Sequence, residues 1–189
     1  SGSPAATTLA ALRPTASVKD QIARYFYDGR GNQTGVLNSI GDANTEGYLT
    51  EYVYDEASNQ RAVKAYAKKL TGLTGTETLA TLRTSATTGA PTEAFRLTQR
   101  TFNALGQLIT EQNHEGTVTR YTYDEAGRLV KTEAAQGSSE VREGNLRFDV
   151  FGQLIGELTG EGSTHLLGGM SESQLDALYA QYGTRHSYD

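Results

Sequence analysis

Five aspartates recur at one position of a short motif and are the first candidates for chemistry: Asp28, Asp55, Asp124, Asp149 and Asp189. Paired carboxylates can act as general acid and base, and clustered ones can bind Ca²⁺. A calcium loop, however, needs several oxygen ligands within one short segment, and each motif offers a single aspartate. An aspartate three residues before a glycine is typical of a β-turn, where its side chain accepts hydrogen bonds from backbone N–H groups. The run at 41–46 comes nearest to an ion loop but lacks the EF-hand spacing, so we assign the aspartates to turns.

Other patterns for catalysis or metal binding do not occur in the sequence. His114, His165 and His186 are scattered without His-x-x-His spacing, and there is no Cys. The serines lack a Gly-x-Ser-x-Gly elbow, and no glycine-rich loop carries the Lys and Ser/Thr of a phosphate site. The sequence therefore predicts a protein that is not an enzyme, with no catalytic residues, no metal site and no cofactor.

The composition narrows the class of partner and the class of fold. A formal net charge of −5 argues against binding to nucleic acid or to an anionic membrane surface. No apolar run approaches the length needed to insert into a bilayer. With 21 Gly and 11 Tyr, and without Trp or Cys, the chain favours extended β-structure with many tight turns.

One pattern recurs along the chain: alternating aromatic residues, then an acid or amide, two variable residues and a glycine. Its positions are Tyr25, Tyr27, Asp28 and Gly31; Tyr52, Tyr54, Asp55 and Ser58; Phe102, Asn103 and Gly106; Tyr121, Tyr123, Asp124 and Gly127; Phe148, Asp149 and Gly152; and Tyr188 and Asp189. Alternate aromatics share one face of a strand, and the glycine suits the left-handed position that ends a turn. A second strand follows each turn, so each copy predicts a β-hairpin that must stack on its neighbours.

The second copy departs from the pattern at its turn. Ser58 stands where the other copies have glycine, so Ser58 or Asn59 is expected to adopt a left-handed conformation.

Two insertions interrupt the repeats. We predict a short helix near 76–83 in the first. In the second, Ser173 and Asp176 resemble the ends of a capping box. Leu175, Leu178, Tyr179 and Tyr182 then follow at helical spacing, and Gly183 ends the predicted helix.

The complete copy at Arg120–Leu129, Arg-Tyr-Thr-Tyr-Asp-Glu-Ala-Gly-Arg-Leu, resembles the YD repeat of the RHS family. That family includes bacterial polymorphic toxins, the shell components of Tc toxins and large surface proteins. The resemblance implies an all-β fold in which antiparallel hairpins form a curved, spiralling sheet, part of a hollow shell around a toxin domain. It also implies a secreted or cell-surface location. The alternative is the stalk of an adhesin that recognises a glycan or a partner protein.

The same resemblance sets expectations for the organisation of the chain. The family's toxin shells end in an Asp-Pro segment linked to self-cleavage, and no Asp-Pro occurs here, so we expect a segment of a larger protein. Its partners would be neighbouring repeats of the same polypeptide, an enclosed toxin domain, or a glycan or host-surface protein. We divide the chain into an N-terminal segment or linker (1–22), two repeats (23–65), an insertion (66–93), three repeats (94–165), an inserted helix (166–183) and a truncated sixth repeat (184–189).

The tyrosine rows allow two interpretations. Stacked rings from adjacent hairpins would stabilise the sheet, whereas exposed rings would offer a surface for sugars or extended peptides. The sequence does not show which face of the sheet is in contact with water.

Overall fold

A computed structural model of the chain describes residues 21–41, 43–91, 93–136 and 141–188. Most of the predicted N-terminal segment 1–22, and Asp189 of the sixth repeat, lie outside these ranges. No helix in the described part of the chain combines the length and the apolar character needed to cross a membrane.

Within these ranges antiparallel strands dominate, and three short helices interrupt them. The elements are β1 (Ala23–Tyr27), β2 (Gln33–Ile40), β3 (Glu46–Tyr54), β4 (Gln60–Tyr66), β5 (Leu70–Thr71), α1 (Leu79–Thr87), β6 (Phe95–Phe102), β7 (Leu108–Gln112), β8 (Val118–Tyr123), β9 (Leu129–Gln136), β10 (Arg142–Phe148), β11 (Leu154–Thr159), α2 (Glu161–Thr164), α3 (Glu172–Tyr182) and β12 (Thr184–Arg185). The predicted all-β class with short inserted helices is therefore confirmed. The chain divides into two compact units, unit 1 (residues 1–52 and 64–96) and unit 2 (residues 53–63 and 97–189).

Unit 1 is a small antiparallel sheet with one helix on one face. Strand β2 pairs with β1 and β3, and β5 pairs with the start of β3. Its buried core consists of Leu37, Leu49, Tyr66, Leu70, Leu82 and Ala86. Helix α1 lies so close to β2 that a Cβ added to Gly35 would be 2.7 Å from Leu79 Cδ1. The glycine therefore leaves the space that the Leu79 side chain of the helix occupies.

Helix α1 begins three residues later than the helix predicted near 76–83. The side chain of Thr78 caps it by accepting a hydrogen bond from the backbone of Thr81 at 3.2 Å. The preceding Glu77 accepts from the backbone of Thr74 at 2.5 Å and of Gly75 at 3.2 Å, which closes a turn before the helix. Thr78, with extended backbone at the N-cap, separates this turn from the helix, so Glu77 lies outside the first helical turn.

A buried carboxylate links the sheet of unit 1 to α1. Glu51 on β3 is 3% exposed and accepts hydrogen bonds from the hydroxyl of Tyr66 and from Nε of Arg83, the latter at 2.7 Å. Burial alone would raise the pKa of Glu51, but the hydrogen bonds from Arg83 and Tyr66 outweigh it, and the pKa lies below its ordinary value. The same burial, together with the bond to Glu51, raises the pKa of Tyr66.

Unit 2 contains a meander of antiparallel hairpins. Strands β6 to β12 pair in chain order, each with the next. In three of its hairpins a register shift falls immediately before the last aromatic of the first strand, at Phe102, Tyr123 and Phe148. These bulges follow from the extra residue that the repeat turn inserts.

Helices α2 and α3 pack on the last hairpin of unit 2. Leu158, Leu178 and Tyr179 form their buried core. A Cβ added to Gly156 would lie 2.5 Å from Cδ1 of Tyr179, so only glycine admits that ring. Arg147 fixes α3 through ion pairs with Glu172 at 2.6 Å and Asp176 at 2.8 Å.

The capping box of α3 differs from the predicted one. Ser171 caps the helix, Gln174 N donates to its hydroxyl at 3.3 Å, and Ser171 N donates to the side chain of Gln174 at 2.8 Å. The prediction from Ser173 and Asp176 was wrong by two residues, because Asp176 bonds to Arg147 instead. The four residues predicted at helical spacing all lie in α3, where Leu178 and Tyr179 are buried and Leu175 and Tyr182 are half-buried, and the predicted end of the helix at Gly183 is confirmed. The four-residue helix α2 was not predicted.

Candidate functional site: the repeat turns

The repeat motif forms the same five-residue turn in every copy that the structure describes in full. The N–H of the acid or amide donates to the carbonyl four residues later: Asp28 to Asn32, Asp55 to Asn59, Asn103 to Gln107, Asp124 to Arg128 and Asp149 to Gln153, at 2.9 to 3.0 Å. The N–H three residues after the acid donates back to the acid's carbonyl at 2.9 to 3.1 Å. The sequence motif therefore encodes one backbone geometry, found once in unit 1 and four times in unit 2.

The side chain of the acid caps its own turn. One oxygen of Asp149 accepts from the backbone N–H of Phe151 at 2.9 Å and of Gln153 at 2.8 Å. Asp28, Asp55 and Asn103 make the same pair of bonds at 2.9 to 3.0 Å. Since Asn serves as well as Asp, the position needs a short side-chain acceptor rather than a charge.

These hydrogen bonds also determine the ionisation of the carboxylates. The side-chain bond from Asn32 holds the pKa of Asp28 below its ordinary value, and the bond from Asn59 does the same for Asp55. For Asp124 the largest cause of the lowered pKa is the backbone N–H of Arg128. Each of these aspartates stays ionised as an acceptor within its turn. Within the described ranges, no group of three or more His, Cys, Asp or Glu residues is arranged to hold a metal ion.

The fourth position of the turn is left-handed. Gly31, Gly106, Gly127 and Gly152 have φ between +76° and +86°, and Ser58 in the second copy has φ +64°. An L-residue other than glycine is disfavoured in this conformation, so Ser58 holds its turn at a cost in stability.

A further turn of the same kind lies between β7 and β8. Asn113 donates to the carbonyl of Thr117 at 3.0 Å, and Gly116 has φ +84°. The aromatic pattern does not predict this turn, because Thr110 and Gln112 stand where the motif has aromatic residues. The Asn-x-x-Gly spacing alone would have identified it.

Adjacent turns of unit 2 are joined by the residue that follows the repeat glycine. Gln107 Nε2 donates to the carbonyl of Gly127 at 3.0 Å, and Arg128 Nη1 donates to the carbonyl of Asp149 at 3.3 Å. Arg128 also bonds its own Asp124 at 2.7 Å and lies over the ring of Phe148, 4.8 Å from its centroid. We call Gln107 and Arg128 the turn staples, because each closes one turn and reaches the next. They are not identifiable from sequence alone, since it does not show which turns are neighbours.

The staples give the repeat glycines a second role. A Cβ added to Gly127 would lie 3.2 Å from Gln107 Nε2, and one added to Gly152 would lie 3.5 Å from Arg128 Nη1. A Cβ on Gly106 would likewise lie 3.5 Å from Asn59 Oδ1. Each of these three glycines thus faces a side chain of the preceding turn. That side chain belongs to the residue after the repeat glycine or, in the second copy, to Asn59, which follows Ser58.

The repeat aromatics occupy two environments. Tyr25 and Tyr27 in unit 1 and Tyr188 in unit 2 are more than half exposed. The remaining ring positions are half-buried: Tyr52, Tyr54, Phe102, Tyr121, Tyr123 and Phe148. The hydroxyl of Tyr123 donates to the carbonyl of Leu108, which places this tyrosine in the hydrogen-bonding of the sheet.

The start of the sixth copy pairs as expected, although its strand is shorter. Residues 184–185 form β12 against Gly156 and Glu157, and the N–H of His186 extends the pairing to the carbonyl of Ile155 at 3.1 Å. The ring of His186 lies 2.9 Å from the carboxylate of Glu157.

Comparison with known proteins agrees with the repeat geometry. The family described as RHS Repeat matches residues 102–139, which include the third and fourth copies and both staples. The chain is 32% identical over 135 residues to the probable deoxyribonucleases RhsB and RhsA of Dickeya dadantii (strain 3937). The match covers 71% of this chain and 8% of each relative, so the chain spans less than a tenth of their length.

Two solved structures also align with the chain. The TcdB2–TccC3–Cdc42 structure aligns over 77% of this chain and 9% of that chain, with 14% identity and a TM-score of 0.39. The TcdB2–TccC3 structure aligns over 78% of this chain and 10% of that chain, with 13% identity and a TM-score of 0.40. The repeat motif, its turn geometry and the sequence matches lead to the same assignment. The chain belongs to the RHS-repeat family.

Proposed function

We propose that the chain is a non-enzymatic structural segment of a larger bacterial RHS-repeat protein, where it forms part of a β-shell around a toxin domain. The observation that carries this proposal is the set of turn staples. Gln107 and Arg128 use their side chains to hold one hairpin on the next, and the recurring acids serve as caps of turns. This arrangement extends a wall of hairpins and gives the recurring aspartates of four described turns, Asp28, Asp55, Asp124 and Asp149, a structural role as turn caps.

The relatives support a structural role for this segment, separate from any enzymatic part of the larger protein. They are named as probable deoxyribonucleases, and this chain matches only 8% of each. A nuclease activity in such a protein would then belong to a different part of the polypeptide. We accordingly propose neighbouring repeats as the immediate partners, an enclosed toxin domain as the cargo, and a secreted or cell-surface location. The division into repeats at 23–65, 94–165 and 184–189 is part of this proposal.

Two measurements test it. The 189-residue chain should leave plasmid DNA intact with and without Mg²⁺, and cleavage that copurifies with the chain would contradict the non-enzymatic role. In the full-length protein, replacing both staples (Gln107→Ala with Arg128→Ala) should open the wall and speed digestion of the enclosed domain by added protease. Glu125→Ala, at an exposed turn position, is the matched control. Equal digestion of the enclosed domain in the staple variant and the control would contradict enclosure.

A further inference from the structure

A cavity of about 210 Å³ lies at the edge of the unit 1 core. Its lining is mainly apolar and includes Ile22, Leu37, Ala43 and Leu73, with Ser39 as a polar member. Leu37 is completely buried and forms the floor, whereas Ile22 is 50% exposed and lies at the mouth. We call this space the Ser39 cavity. An apolar concavity with a few polar groups is the usual form of a site for a small molecule.

Ser39 is the polar group that distinguishes this cavity. In the described part of the chain three other polar residues are buried, and Glu51, Asn145 and Ser163 all make side-chain hydrogen bonds within the protein. Ser39 is 7% exposed, and its side chain makes no hydrogen bond there. Every fully buried polar side-chain atom of the described residues has a partner, so the Ser39 hydroxyl must reach the cavity that the residue lines. This hydroxyl is therefore available to a molecule that enters the cavity.

Hydrogen bonds hold the walls of the cavity in position. The N–H of Ile22, at the mouth, donates to Oδ1 of Asn44 at 3.1 Å. The N–H of Leu73, on the facing loop, donates to the carbonyl of Thr45 at 2.9 Å. Because these bonds tie both walls to the β2–β3 turn, the cavity needs little rearrangement to accept a ligand, and a preformed site binds at lower cost.

The charges around the cavity favour a neutral ligand. Arg24 is the one charged residue of its described lining, and Glu77 neutralises it, with Nη1 of Arg24 2.6 Å from Oε2 of Glu77. Nη2 of Arg24 also donates to the Glu77 carbonyl at 2.6 Å. An anion beside Arg24 would meet the Glu77 carboxylate as well. A cation would find no carboxylate in the described lining.

The volume limits the size of the ligand. An apolar cavity of about 150 Å³ accepts benzene. The Ser39 cavity, at about 210 Å³, has room for a six-membered ring with one or two further atoms. A hydroxyl on that ring can bond to Ser39, because a serine hydroxyl both donates and accepts.

We propose that the Ser39 cavity binds a small neutral alcohol or phenol, with the ring of the ligand against Leu37 and Leu73 and its hydroxyl bonded to Ser39. This site goes beyond the shell role proposed above, since it lies in unit 1 and uses none of the turn staples.

The test uses phenol as the probe, with benzene as the ring without a hydroxyl and benzoate as the charged ring. Titration of the isotope-labelled 189-residue chain, followed by NMR, gives both the affinity and the position of each compound. Phenol should shift the amides of Ser39, Asn44 and Leu73, with a Kd in the millimolar range or tighter. It should bind more tightly than benzene or benzoate. Ser39→Ala should weaken phenol binding about fivefold or more and leave benzene binding within about twofold.

Ala43→Phe fills the cavity from an exposed position of its lining and should abolish phenol binding. The matched control is Ala57→Phe, which adds the same ring at an exposed alanine of a repeat turn and should leave the affinity within about twofold. Thermal unfolding of each variant shows whether the fold is retained, and Ser39→Ala removes a single hydroxyl atom without adding bulk. The proposal is overturned if phenol at millimolar concentration shifts no amide of the cavity, if benzene or benzoate binds as tightly as phenol, or if Ser39→Ala leaves the Kd of phenol unchanged.

Discussion

The hydroxyl of Tyr188 donates to the carbonyl of Leu154 at 2.9 Å, and the hydroxyl of Tyr123 makes the equivalent bond to Leu108 at 3.0 Å. Both tyrosines immediately precede the acid of a repeat turn, and both acceptors stand two residues after the glycine of the preceding turn. The last aromatic of one hairpin is thus anchored to the hairpin before it. This gives the tyrosine of the motif a specific role in stacking the repeats.

Phe148 occupies the same position in the fifth copy without a hydroxyl. Strand β9 pairs with β10 up to Lys131 and Asn145. If this register is continued, Phe148 lies beside Leu129 in the way that Tyr123 lies beside Leu108. Phe148→Tyr should therefore add the missing bond and stabilise the chain by about 0.5–1.5 kcal/mol. Tyr123→Phe should destabilise it by a similar amount. Urea unfolding monitored by circular dichroism measures both changes, and a loss of stability in Phe148→Tyr would show that the bond does not form.

Ser58→Gly should stabilise the chain by about 0.5–1 kcal/mol, because it relieves the strain of a left-handed serine. Gly127→Val should destabilise it by more than that, since valine adds both backbone strain and a clash with Gln107. Gly29→Ala is the control, because Gly29 does not have a left-handed φ and its added Cβ meets no atom within 4 Å. If Ser58→Gly lowers the melting temperature, the second copy has been aligned incorrectly.

Arg128→Ala removes the ion pair to Asp124, the bond to the Asp149 carbonyl and the contact with the Phe148 ring. We expect a loss of about 1–2 kcal/mol and faster hydrogen exchange at the amides of the next turn, 149–153. Arg120→Ala is the matched control, since Arg120 is exposed and its side chain makes no hydrogen bond among the described residues. Faster exchange confined to 124–128 would mean that the staple does not join the two turns.

Acid should destabilise the chain partly through Glu77. Hydrogen bonds lower the pKa of Glu77 to about 2 from an ordinary value of 4.5: the largest contribution comes from the Thr74 backbone, and smaller ones come from the Glu77 backbone, the Thr74 hydroxyl and Arg24. A carboxyl with a lowered folded-state pKa contributes stability that is fully present above pH 4.5 and is lost as the pH falls toward 2. Glu77→Gln should reduce the free energy of unfolding at pH 7 by about 1–3 kcal/mol. The free energy of unfolding of this variant should then fall less steeply between pH 4.5 and pH 2 than that of the parent chain.

The control for this pH dependence is Glu125→Gln, since Glu125 is exposed and makes no hydrogen bond in the described part of the chain. Unfolding free energies at pH 7, 4.5, 3 and 2.5 provide the comparison. An unchanged slope in Glu77→Gln would assign the acid sensitivity to the other lowered carboxyls, Glu51, Asp28, Asp55 and Asp124.

The parts of this fold that sequence reasoning reaches are those fixed within a few residues. The turns follow from an acid, a glycine and their spacing, and on that basis a left-handed residue was expected at Ser58 or Asn59, of which the structure has Ser58. The capping box of α3 was misplaced because Ser171 and Ser173 both offer a start, and the choice depends on Arg147 drawing Asp176 away. The turn staples and the Ser39 cavity depend on which strands and loops are neighbours, and this is not encoded locally.

The staples give the repeat array a polarity. The residue after each repeat glycine, Gln107 or Arg128, bonds to the turn of the following copy. The same side chain lies close to the glycine of that following copy, so it limits which residue can replace the glycine. A copy transplanted elsewhere in the array would carry its own turn intact but could meet an unmatched neighbour on either side. The unit that selection or an engineer must conserve is therefore the junction between two copies, such as Gln107 with Gly127, rather than any single hairpin.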